Sequence, residues 1–154
     1  MGLDMFLTAK KFVSKFPKEK NLPEKARQAL NLVDIECPLP VSYIQVEVAY
    51  WRKANAIHKW FVDNVQDGID NCESYYVSRD ALEKLRKDVS KALKHAEAGR
   101  VVEARSVFTP TAGFCFGPTN SGKCYIKDLK YTLAQLDVAL SLPEDWSLEY
   151  SSSW

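Results

Sequence analysis

A chain of 154 residues with 46% hydrophobic and 27% charged side chains has the size and composition of one folded domain, not of a disordered segment. Its 21 basic and 20 acidic residues nearly cancel, which argues against general nucleic-acid binding, because that needs a basic surplus to displace counterions. Four isolated cysteines and two histidines lack zinc-ligand spacing, and no run reaches the roughly 18 apolar residues that span a membrane. The opening Met1-Gly2-Leu3-Asp4-Met5-Phe6 has neither a basic n-region nor the Ser or Thr that myristoylation requires at the sixth position. The expectation is a cytoplasmic protein with reduced thiols and no metal, cofactor or membrane association.

In chain order, Leu3 to Lys10 predicts a strand, and the lysine-rich residues 11 to 22 a surface connection. Pro23 suits the first turn of a helix to about Val33, and Cys37-Pro38-Leu39-Pro40 breaks the chain. Ser42 to Ala49 alternates, with Tyr43, Gln45 and Glu47 on one side and Ile44, Val46 and Val48 on the other, as in a half-buried strand. A helix is then predicted from Tyr50 to Gln66, stopping near Gly68. Cys72 to Val77 reads as a strand. Ser78 caps a long charged helix ended by Gly99, and a short helix covers Arg100 to Val107. A strand at Gly113 to Gly117, a helix from Cys124 to Leu140 and a last strand from Trp146 to Ser152 complete the chain. The predicted fold class is α+β: a single domain over 1–154, with a small mixed or antiparallel sheet of four to five strands and about four helices.

The segment from Tyr50 to Gln66 carries the most information. On a helical wheel, Trp51, Ala54, Ile57, Phe61, Val62 and Val65 form one arc, with His58 in its middle and Asn55 at its edge. Arg52, Lys53, Lys59, Trp60, Asp63 and Asn64 fall opposite, so Trp60 is an indole on the side expected to meet water. The simplest reading of His58 is a hydrogen-bonded core residue, and Trp51 and Phe61 alone would be core. Together, however, the segment offers indoles for stacking, Arg52 with Lys53 or Lys59 for phosphate, and Asn55, Asn64 and Gln66 for base edges or ribose. Pockets for nucleotide-like ligands combine such aromatic walls with a few directed polar groups. Trp51, Arg52, Asn55, His58, Lys59, Trp60 and Asn64 are therefore the candidate ligand-binding residues.

The run Glu47-Val48-Ala49-Tyr50-Trp51-Arg52-Lys53-Ala54-Asn55-Ala56-Ile57-His58, then Trp60-Phe61-Val62 and Asn64-Val65-Gln66, resembles a family of small uncharacterised bacteriophage and prophage proteins. The opening Met1-Gly2-Leu3-Asp4-Met5 and closing Ser151-Ser152-Ser153-Trp154 extend the resemblance over nearly the whole chain. It brings no activity; it implies a phage accessory protein acting in the bacterial host cytoplasm.

Gly117-Pro118-Thr119-Asn120-Ser121-Gly122-Lys123-Cys124 nearly matches a phosphate-binding loop. Cys124 stands where a magnesium-binding hydroxyl belongs, and only 30 residues follow, too few for the rest of that fold. A turn that caps the next helix is the simpler reading, although a helix N-terminus there could still hold an anion. The leading functional expectation is a module that binds a small anionic nucleotide-like ligand and sequesters a bacterial defence signal; a homo-oligomer whose chains share a pocket is one form it could take. The alternatives are a protein–protein inhibitor that docks on a host defence enzyme through Trp60, and a small nucleotide hydrolase or lyase using His58.

Overall fold

The computed structural model describes residues 2–13, 28, 42–110 and 123–154. Strand β1 (Asp4–Phe12) and strand β2 (Tyr43–Arg52) are followed by helix α1 (Asn55–Asn64) and the short strand β3 (Tyr75–Val77). Helices α2 (Arg79–Glu97), α3 (Val101–Val107) and α4 (Lys123–Ser141) then lead to strand β4 (Ser147–Ser153). The four strands form one antiparallel sheet in the order β2-β1-β4-β3, so the fold is α+β as the sequence predicts. The predicted helix at 23–33 (apart from Gln28, which is helical), the break at 37–40 and the strand at 113–117 lie outside the described residues.

Alternation makes the sheet a wall of the core. Met5, Leu7 and Ala9 of β1 and Leu148 and Tyr150 of β4 are buried at 2% exposure or less, while Phe6, Thr8 and Lys10 between them are only half-buried. Helix α1 lies on this wall through Phe61, whose ring stacks on Tyr150 with centroids 3.9 Å apart. Helix α2 packs against both α3 and α4, and α4 reaches β2. Ser78 caps α2 by accepting the Ala81 N–H at 3.1 Å, and Gly99 follows its end with φ +75°, a conformation that glycine adopts without strain. Arg79 gathers the carbonyl oxygens of Leu140, Leu142 and Pro143, and so satisfies the C-terminal end of α4.

The predicted start of the central helix needs correction. Tyr50, Trp51 and Arg52 belong to β2, where they pair with Phe6, Met5 and Asp4. The register passes from Leu7↔Ala49 directly to Thr8↔Glu47, leaving Val48 as an extra residue. Such a bulge switches the parity of the strand. Beyond it Ala49 and Trp51, not the even-numbered residues, are buried, while Val46 of the predicted apolar row stays 41% exposed. Lys53 then takes a left-handed conformation, φ 57°, which turns the chain out of the sheet and into α1. Its N–H still bonds Leu3 O at 2.8 Å, so β1 holds the turn in place. Tertiary pairing has overridden a helical pattern that, two residues later, does become a helix.

Candidate functional site

The turn at Lys53 forms one wall of a cavity of about 290 Å³; the opposite wall is the first two turns of α4. Arg52, Lys53, Ala54, Asn55, Ala56 and Ile57 line it from the β2–α1 side, and Cys124, Tyr125, Lys127, Asp128 and Leu129 line it from α4. Each wall is fixed from behind. Trp51 donates its indole N–H to Thr132 Oγ1 at 2.9 Å, which ties the end of β2 to α4. Thr132 donates to Asp128 O at 2.7 Å, and Tyr125 donates to Phe108 O at 3.0 Å. Burial of the Tyr125 phenol pushes its pKa up to about 12, so it stays a neutral donor in this position.

Two features give the cavity its electrostatic character. The N-terminus of α1 opens on it with no capping side chain and no acidic residue in its first turn. Its partial positive charge adds to those of Arg52, Lys53 and Lys127. Arg52 is held only loosely, 3.9 Å from Asp4 and 66% exposed at the side chain. Against these cations stands one carboxylate. Burial pushes Asp128 up to about 6, opposed in part by the neighbouring Lys127. Among the described residues no hydrogen bond or ion pair engages the Asp128 carboxylate; only its backbone carbonyl is used, by Thr132.

The sequence-predicted residues other than Trp51 divide among three places. Arg52 and Asn55 line this cavity, and Asn55 is 5% exposed. Lys59, Trp60 and Asn64 line a second hollow of about 240 Å³ between α1, α2 and the end of α3. There the polar groups bind one another: Lys59 pairs with Asp63 at 2.7 Å, Lys84 donates to Asn64 Oδ1 at 2.6 Å, and Asn64 donates to Trp60 O at 2.8 Å. Trp60 is not the water-facing indole expected of the wheel. It is 7% exposed, covered by α2, and donates its N–H to Asp88 at 2.9 Å. Trp51, at 2% exposure, is likewise a core residue and offers no face for stacking a ligand.

His58 occupies the third place. It is 1% exposed, with Nδ1 2.8 Å from Tyr150 Oη and Nε2 2.9 Å from Asp70 Oδ2. One tautomer satisfies both bonds: Nε2–H donates to the carboxylate and Nδ1 accepts the Tyr150 hydroxyl. Asp70 also accepts the Trp154 indole N–H at 3.0 Å, so the chain His58–Asp70–Trp154 joins α1 to the end of β4. The simpler reading of His58, as a satisfied core residue, is the observed one. Gln66, proposed with the asparagines for polar edges, is fully buried with neither amide atom hydrogen-bonded, and lines neither hollow.

Sequence reasoning passed over Lys127 and Asp128. A signal for Asp128 was present. On α4 the buried residues Tyr125, Leu129, Thr132, Leu136 and Ala139 mark one arc, and Asp128 projects beside Ala139 at its edge. An acid on an apolar arc is the exception that points to a site. Among the described residues no group of His, Cys, Asp and Glu could hold a metal ion, and no helix is long and apolar enough to cross a membrane. No protein-family model, curated protein or solved structure matches the chain.

Proposed function

We propose that the protein is a binding module for a small anionic, nucleotide-like ligand, held in the cavity between the β2–α1 turn and α4. The observation that carries this reading is the gathering of Arg52, Lys53, Lys127 and an uncapped helix N-terminus around one hollow. Lysines left out of ion pairs and the positive end of a helix dipole attract phosphate. The volume, about 290 Å³, lies at the lower end of small-molecule sites, roughly 300–1,000 Å³, and suits a mononucleotide-sized group. Asn55 lines the same hollow. The resemblance to phage proteins adds a setting: an accessory protein in the bacterial cytoplasm that sequesters a nucleotide defence signal without turning it over. The sealing of His58 between Tyr150 and Asp70 disfavours the hydrolase alternative, and the burial of Trp60 removes the anchor of the inhibitor alternative.

The test is titration calorimetry with purine and pyrimidine mononucleotides, on the wild-type protein and on Arg52→Ala and Lys127→Ala. Binding that weakens about tenfold in each variant, with ligand recovered unchanged, is the expected result. Equal affinity in both variants would remove the cavity from the account, and recovery of a product would replace capture with catalysis.

A further inference from the structure

A carboxylate in an anion-binding cavity needs a reason, because it repels the phosphate that its neighbours attract. Asp128 is also costly to keep there: it is half-buried, and burial raises its pKa to about 6. No structural role for it is evident in its neighbours. Among the described residues nothing hydrogen-bonds its carboxylate, and Lys127, the cation that acts on it, closes no ion pair with it. Its backbone is nonetheless fixed, since its carbonyl accepts from Thr132, whose hydroxyl oxygen accepts from Trp51. An unpartnered acceptor on a fixed stretch of helix at the wall of a cavity is placed to meet a donor on a ligand.

We infer that Asp128 is the specificity-determining residue of this site and selects a guanine base over the other nucleobases. The inference rests on the nucleotide-binding reading above and deepens it. An ionised carboxylate is acceptor-only, with two oxygens side by side. Guanine presents N1–H and N2–H as two parallel donors on one edge, so both oxygens are satisfied at once by charge-assisted bonds. Adenine sets one donor beside the N1 lone pair, cytosine sets one beside the N3 lone pair, and uracil flanks its single N3–H with two carbonyls. Each of these three directs at least one acceptor against a carboxylate oxygen. A buried acceptor left unpaired is what gives a polar site its discrimination. The cations play the complementary part, with Arg52, Lys53 and Lys127 taking the phosphate. The titratable groups that line the cavity with Asp128 are Arg52 and Lys53 from the β2–α1 turn and Cys124, Tyr125 and Lys127 from α4, so at pH 7.5 the carboxylate is the one acceptor-only side chain among them.

Calorimetric titration of the full chain with GMP and with AMP at pH 7.5 tests this, alongside Asp128→Asn. GMP should bind roughly 10- to 100-fold more tightly than AMP, the discrimination of a good bidentate base contact. In Asp128→Asn, which offers one acceptor and one donor, GMP should weaken about tenfold and AMP should gain, because its N6 and N1 match an amide. Equal affinity for the two nucleotides, with a ratio that Asp128→Asn leaves unchanged, overturns the selectivity while the binding site stands. Failure of both nucleotides to bind a folded wild-type protein overturns the nucleotide reading itself, and the selectivity with it.

Discussion

Replacement of Asp128 by Asn should stabilise the protein at neutral pH, which is the reverse of what a well-paired buried group would give. The carboxyl is pushed from its ordinary 3.8 to about 6, and burial is the main cause. That rise of about two pH units corresponds to about 3 kcal/mol at 1.36 kcal/mol per unit. Asp128 is only half-buried, so solvent screening reduces the realised effect to ~1–2 kcal/mol. Between the two pKa values the folded state holds a proton that the unfolded state has lost, so wild-type stability falls as pH rises from about 4 to about 6. The Asn variant, a neutral shape-match of the protonated acid, does not carry this penalty. Its melting temperature should exceed wild type by roughly 3–6 °C at pH 7.5, with the gain fading below pH 6 and gone by about pH 4. Circular dichroism melts at pH 4, 5, 6 and 7.5 read this directly. A variant that melts below wild type at pH 7.5, or a gain that does not change with pH, would refute the reasoning. Stability given up at one carboxylate is the mark of a group kept for binding.

Two further substitutions probe the framework around the site. His58→Ala leaves Tyr150 and Asp70 without their common partner in a buried setting, and should cost ~3 kcal/mol in urea unfolding; a loss below ~0.5 kcal/mol would show that the imidazole carries no structural bond. Lys53→Gly removes a side chain from a left-handed residue, φ 57°, and should raise stability by ~0.5–1 kcal/mol while weakening nucleotide binding. Loss of stability in that variant would mean that the Lys53 side chain supports the turn instead of facing ligand.

The local signals in the sequence were the legible ones. Ser78 and Gly99 bracket α2 because a cap and a left-handed glycine act within one turn, and no distant contact competes with them. The stretch around Trp51 was illegible for the opposite reason. A pattern of apolar residues that suits a helix was drawn into β2 by pairing with β1, more than 40 residues earlier, and the bulge at Val48 exists only in that pairing. Trp60 shows the same limit from the other side. The wheel placed it correctly away from the sheet-facing arc, yet what covers it is α2, with Asp88 taking its N–H, and no pattern within α1 could announce that. The site itself was half legible. Arg52 and Asn55 stand out in their own segment, whereas Lys127 and Asp128 gain meaning only when α4 is laid across the β2–α1 turn.

Amide chemical-shift mapping by ¹⁵N–¹H NMR during a titration with GMP tests the cavity most directly. Shifts concentrated at Arg52, Lys53, Asn55, Lys127 and Asp128, with Lys59 to Asn64 little changed, are the result that a ligand site between the β2–α1 turn and α4 requires. Saturating nucleotide that leaves those five amides unmoved, or that shifts the Lys59–Asn64 hollow in their place, would contradict it.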